Sequence, residues 1–129
     1  MADNTLSKND QISEEFARNH YASKKYDSKK RFISYWHQID EVIKLNPESV
    51  LEIGIGNGFI SRYLRHAGLK ITTIDINKSL KPDLVGSVLD LPFNDNYFDT
   101  ILCCEVFEHI HYDYFSIALE NIFIISHVP

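Results

Sequence analysis

The chain has only two cysteines, Cys103 and Cys104, and they are adjacent. Neighbours along a strand point to opposite faces and cannot staple distant segments, so a disulfide framework is excluded. The pair reads as buried thiols in a reducing compartment. No apolar run approaches the roughly 18 residues of a membrane-spanning helix, and the amino terminus opens on polar residues where a signal peptide would be apolar. A cytoplasmic protein with no membrane partner is expected. Basic surplus is missing too: 13 Lys and Arg face 18 Asp and Glu, a net charge of −5. A broad nucleic-acid surface would be basic, so no nucleic-acid partner is expected. Acidic and basic residues balance as far as Glu48, and the negative surplus lies entirely beyond it. That is compatible with a cationic ligand and equally with a plain acidic surface. Glycine is scarce as well, at five residues, yet three of them fall within one short stretch.

That stretch is Val-Leu-Glu-Ile-Gly-Ile-Gly-Asn-Gly-Phe-Ile-Ser-Arg-Tyr, Val50 to Tyr63. An apolar strand carrying one carboxylate, Glu52, runs into Gly54, Gly56 and Gly58 and then into an amphipathic helix. Glycine adopts backbone angles closed to other residues and has no side chain to hold a ligand off, so these positions let main chain touch what binds. A buried strand with an unpaired charge is costly, so Glu52 should have a cationic or hydrogen-bonding partner near the strand's carboxyl end. A phosphate-binding P-loop would end in Gly-Lys-Ser/Thr, which is absent. The dinucleotide fingerprint wants a third glycine where Phe59 or Ser61 stands, which disfavours a nicotinamide-dependent oxidoreductase.

Along the rest of the chain, Met1 to about Arg18 reads as a frayed or loosely helical polar arm. His20 to Asp27 is a polar, aromatic connector. Ser28 to Leu45 has helical periodicity through Phe32, Tyr35 or Trp36, Ile39, and Val42 or Ile43, with Asp27 or Ser28 as cap and Asn46-Pro47 as stop. This helix is expected across the edge or mouth of the glycine-loop domain. Lys24, Lys25, Lys29, Lys30 and Arg31 are either its solvated face or a site for an anionic substrate. Tyr21, Tyr26 and Trp36 are either core or a substrate lid. Phe59 to Ala67 continues as a helix ended by Gly68, and Lys70 to Ile76 reads as a second strand. A strand, helix and strand in that order imply a right-handed parallel crossover, which puts Asp75 at the strand tip beside the glycine loop. Its distance of about twenty residues from Gly54 suits a carboxylate that holds ribose hydroxyls; helix capping is the alternative. Too few residues follow for an ordinary crossover helix before the short run Leu84–Ser87, so a brief third strand or a short helical turn is expected there. Phe98 to Glu105 reads as strand four, and Phe115, Ala118, Leu119 and Ile122 as a helix.

Glu52-x-Gly54-x-Gly56-x-Gly58 resembles the cofactor loop of class I S-adenosylmethionine-dependent methyltransferases. Asp90-Leu91-Pro92-Phe93 and Val106-Phe107-Glu108-His109-Ile110 resemble that family's segments after strands three and four. The resemblance implies an α/β, Rossmann-like parallel sheet with an amino-terminal helical segment. By the same resemblance, Glu52 and the Gly54 backbone orient the methionyl amine. Asp75 holds the ribose, Ile76 packs on adenine, and Asp90 with Leu91 reads the adenine edge. Glu105, Phe107 and His109 face the transferring methyl, with His109 a candidate general base. Glu105, Glu108, His109 and His111 also admit a zinc or iron reading, but the resemblance already accounts for that segment and no metal is expected.

The likeness covers roughly Ser49 to Ile125, about half of such a domain, so the sheet is expected to be truncated after about four strands. An amino-terminal arm and helix over 1–47 and a cofactor-binding half-domain over 48–129 follow. An uncovered edge on strand four predicts a homo-oligomer. The function implied is methyl transfer from S-adenosylmethionine, leaving S-adenosylhomocysteine, to a small-molecule acceptor. A module of this fold that binds the nucleoside or mediates assembly without catalysis is the alternative.

Overall fold

The computed structural model describes residues 15–16 and 19–127. The arm expected at Met1–Arg18 falls almost wholly outside them. Helix α1, Lys29–Leu45, begins at Ser28, whose side chain accepts from the Arg31 N–H, and ends at Asn46 in the left-handed region. Strand β1, Ser49–Ile53, leads through the glycine loop into α2, Phe59–His66, and then β2, Lys70–Asp75. A single 3₁₀ turn at Lys78–Leu80 precedes the two-residue β3, Leu84–Val85. Strand β4, Thr100–Cys103, is followed by 3₁₀ turns at Phe107–His109 and Tyr112–Tyr114 and by helix α3, Phe115–Ile125.

The strands form one parallel sheet in the order β3-β2-β1-β4. Alternation along β1 divides the core. Val50 packs with Tyr35, Ile39 and Val42 of α1 and with Ile60 and Leu64 of α2. Leu51 and Ile53 point the other way, among Ile74, Phe98, Ala118 and Ile125. Helices α1 and α2 therefore cover one face and α3 the other. Helix α1 is an integral layer on the sheet, sharing one apolar cluster with β1, β2 and α2. Its stripe uses Tyr35 and Val42 of the alternatives posed by the pattern, and Trp36 and Ile43 are exposed.

The β2–β3 connection follows expectation, with a short helical turn and a brief third strand, whereas strand four differs. The β2–β3 connection is both short and lightly helical, because Asp83 does the work of a crossover helix. Its Oδ2 accepts from the Thr73 N–H at 2.8 Å and from Arg65 Nη2 at 2.6 Å, which fixes β3 against β2. Strand four is shorter than Phe98 to Glu105. Phe98 is fully buried with its backbone tied to Ile125 and His127. The Asp99 carboxylate accepts from the Glu48 and Ser49 N–H groups. Beyond Cys103 the chain leaves the sheet, and Glu105 takes a left-handed φ of 57°.

Candidate cofactor site

Strand order reverses between β1 and β4, and the crevice above such a point, outside the strands' carboxyl ends, is where open α/β sheets bind ligands. A cavity of about 550 Å³ lies there. It is bounded by the turn after β1, the tip of β2, Gly86 to Val88 after β3, Cys104 to Val106 with His109 and Ile110 after β4, and His20, Tyr21, Tyr26 and Arg31 from the amino-terminal side.

The glycine loop opens this space by conformation. Gly54, Gly56 and Gly58 all have positive φ, at 78°, 54° and 75°. A Cβ on Gly54 would lie 2.5 Å from Val106 Cγ2, and one on Gly56 would lie 2.8 Å from Tyr26 Oη. Neither position accepts a side chain without strain and displacement. Gly54 and Gly56 line the cavity, whereas Gly58 caps α2 beside Arg62 and lies outside its wall.

Glu52 lies on the α2 face of β1 and is only 4% exposed. Its Oε2 has no hydrogen-bond partner among the described residues. Burial pushes the carboxyl up to about 8, against opposing pulls from Ser61 and Arg65 and a further push from Asp75. Among the described residues Oε2 thus lacks the partner expected near the strand end, and the group faces a cavity. A buried, unpaired carboxyl is expensive, which suits a site completed by a ligand's ammonium group.

Asp75 sits at the tip of β2 as expected. One carboxylate oxygen accepts from the Ile55 N–H at 2.9 Å and the other from Asn77 N–H at 2.8 Å. These bonds lock the carboxylate between the glycine loop and the next turn, and each oxygen retains acceptor capacity towards the cavity. Ile76, 75% exposed, forms part of the mouth.

Asp90 and Leu91 do not line this cavity. Asp90 is exposed after a turn closed by its N–H to the Ser87 carbonyl, and Leu91 packs under the sheet with Phe93. Gly86, Ser87 and Val88 occupy the wall instead, because β3 ends at Val85 and its exit residues come directly under the crevice. The Asp-Leu-Pro-Phe segment thus follows these wall residues in the chain. Phe107 likewise leaves the site, meeting Phe115 edge-on at 5.4 Å in the core. Glu105, His109 and Cys104 stay on the wall. The His109 side chain is mostly exposed, 4.0 Å from Glu108. Burial pushes Cys103 up to about 12 and raises Cys104, so both thiols stay protonated. Among the described residues no three His, Cys, Asp or Glu groups converge as metal ligands.

The amino-terminal connector contributes more than its composition suggested. His20, Tyr21 and Tyr26 form an edge-to-face cluster with ring centroids 4.8 to 5.3 Å apart. Asp27 ties this strap to the glycine loop, accepting from Asn57 Nδ2 at 2.8 Å and from the Tyr35 hydroxyl at 3.2 Å. Arg31 lies 3.9 Å over the Tyr26 ring, donates from Nε to the Tyr26 carbonyl at 2.7 Å, and pairs with Glu105 at 2.9 Å. Of the five-residue basic cluster, Arg31 alone reaches the cavity. Trp36, grouped with the two tyrosines in the sequence, is outside it and exposed. Asn57 carried no motif that would have singled it out, and Arg31 stood in the sequence only as one of five clustered basic residues; their roles arise from contacts 30 and 74 residues away in sequence.

Comparison with known proteins agrees with this geometry. Residues 51–124 match the model of a methyltransferase domain. The chain is 32% identical over 98 residues to the demethylmenaquinone methyltransferase of Thermotoga maritima, covering 61% of this chain and 43% of that protein. It is 30% identical over 74 residues to the ubiquinone biosynthesis O-methyltransferase of Rickettsia typhi, covering 47% and 30%. It thus spans less than half the length of these curated relatives. A crystal structure of the Burkholderia thailandensis 1,6-didemethyltoxoflavin-N1-methyltransferase, with bound 1,6-didemethyltoxoflavin and S-adenosylhomocysteine, superposes with a TM-score of 0.65 at 17% identity. That match covers 97% of this chain and 62% of that one. The parallel sheet, the glycine loop, the strand-tip carboxylate and the matched domain together make this chain a member of the class I S-adenosylmethionine-dependent methyltransferase superfamily.

Proposed function

We propose that this chain binds S-adenosylmethionine across the β1 and β2 tips and serves methyl transfer to a small-molecule acceptor. The observation that carries the reading is Glu52, a buried carboxyl with an unpartnered oxygen, in the same cavity as Asp75 and the bare backbone of Gly54 and Gly56. S-adenosylmethionine supplies a methyl group already activated by its sulfonium, so the protein chiefly has to bind, align and exclude water. Glu52 and the Gly54 backbone take the amine of the cofactor's tail, and Arg31 takes its carboxylate. Asp75 holds the ribose hydroxyls, Ile76 covers the adenine, and Ser87 and Val88 meet the adenine edge in place of Asp90 and Leu91. Tyr21, Tyr26 and His109 border the acceptor's approach. The relatives' names, demethylmenaquinone methyltransferase and ubiquinone biosynthesis O-methyltransferase, and the 1,6-didemethyltoxoflavin bound in the structural neighbour support a small-molecule acceptor. A cytoplasmic setting and self-association along the outer edge of β4 belong to the same reading.

Isothermal titration of the folded protein with S-adenosylhomocysteine tests it. Binding is expected, weakened at least about tenfold by Asp75→Ala, since a hydrogen bond to a charged group is worth about 1.5–3 kcal/mol. Absence of heat at hundreds of micromolar ligand defeats the reading.

A further inference from the structure

The cavity wall is unevenly charged. Among the described residues it carries carboxyl groups at Glu52, Asp75 and Glu105 and one permanent cation, the guanidinium of Arg31. An amino-acid tail brings one ammonium and one carboxylate. The ammonium meets a choice of partners, whereas among the described charged groups of this wall only Arg31 suits the carboxylate.

That guanidinium is engaged within the chain. Arg31 is fixed by two contacts that a ligand need not disturb, the Nε bond to the Tyr26 carbonyl and the stacking over the Tyr26 ring. Its remaining contact is different in kind. Nη1 meets Glu105 Oε2 at 2.9 Å, from a side chain 57% exposed that is not packed into the core. The Glu105 backbone is itself in the left-handed region, where a residue other than glycine pays a steric penalty. A half-exposed carboxylate on a strained turn after β4 is easily released to water. It could not stay beside an incoming carboxylate without like-charge repulsion.

We propose that Glu105 is an internal stand-in for the carboxylate of the cofactor's tail, holding Arg31 while the cofactor is away and displaced from it on binding. This rests on the cofactor reading above and reverses the role that family resemblance gives Glu105. Rather than adding to cofactor affinity, Glu105 competes with the tail, while Arg31 stays fixed to the strap in either state through the Tyr26 carbonyl and ring.

The test is titration of wild type and Glu105→Gln with two ligands at low ionic strength. S-adenosylhomocysteine carries the amino-acid tail; 5′-methylthioadenosine is the same nucleoside thioether without it. Glu105→Gln is expected to bind S-adenosylhomocysteine about threefold more tightly, the scale of a partly exposed ion pair, and 5′-methylthioadenosine with unchanged affinity. The gain should vanish in an Arg31→Ala background. Weaker or unchanged binding of S-adenosylhomocysteine, or equal tightening of both ligands, overturns the proposal while leaving the cofactor reading intact. Failure of folded wild type to bind either ligand removes both. Thermal unfolding of Glu105→Gln checks that the variant is folded, and its exposed position makes a normal midpoint the expected result.

Discussion

Glu52 shows how one side chain can report on both folding and binding. Its ordinary value of 4.5 is raised by burial to about 8 in the folded protein, so between those values the folded state holds a proton that the unfolded state has lost. The sign follows directly: the stability contributed by this group is complete below about 4.5 and disappears as pH rises through about 8. Without ligand, urea unfolding of wild type should therefore weaken across that window. Glu52→Gln, isosteric and uncharged, should lose this component and gain relative stability at the alkaline end. A parallel pH profile for the two proteins would contradict the assignment. With cofactor bound the decline should flatten, because an ammonium beside Glu52 favours the ionised form. Affinity for S-adenosylhomocysteine should rise between neutral pH and the mid-eights, with proton release visible as a dependence of titration heat on buffer.

Among the elements, β3 depends most on side chains. Two residues pair it with β2, Ile74 with Leu84 and Asp75 with Val85. What keeps so short a strand in register is Asp83, whose carboxylate serves the Thr73 N–H, the Thr73 hydroxyl at 3.1 Å and Arg65. Asp83→Ala leaves the Thr73 amide without its acceptor. It should cost about 1–3 kcal/mol in denaturant unfolding. Because Gly86, Ser87 and Val88 hang from β3 into the cavity, the same change should weaken S-adenosylhomocysteine severalfold in protein that remains folded. A loss of stability with unaltered cofactor affinity would separate β3 from the site. Helix α1 is the contrasting case. Its periodicity, its Ser28 cap and its Asn46 stop are local features that were legible in the sequence and occur as expected.

For the molecule as a whole, the sheet is asymmetric. Strand β4 pairs with β1 on one side and with no strand on the other among the described residues. A free parallel edge invites pairing with another chain. Leu119 and Phe123 of α3 are 57% and 67% exposed and add apolar surface to the molecule. A dimer is expected by light scattering at micromolar concentration, and Ile101→Pro, which adds a ring and removes an amide in β4, should both dissociate and destabilise it. Phe123→Lys is the milder control: it should leave the fold intact and weaken association. A monodisperse wild-type monomer contradicts the assembly without touching the cofactor site.

The sequence by itself determined the parallel α/β class, the glycine loop, the carboxylate at the β2 tip and the limits of α1 and α2. Each is encoded within one short segment: apolar periodicity selects the element, and glycine or a capping residue ends it. Only the tertiary structure decided that Ser87 and Val88, rather than Asp90 and Leu91, face the cavity, since that depends on where a two-residue strand releases the chain. It also decided that Arg31 leaves its basic cluster to meet Glu105, and that one oxygen of Glu52 finds no partner among the described residues. These outcomes depend on groups brought together from distant segments, and no local pattern records which side chain will reach across a crevice that exists only once the sheet has formed.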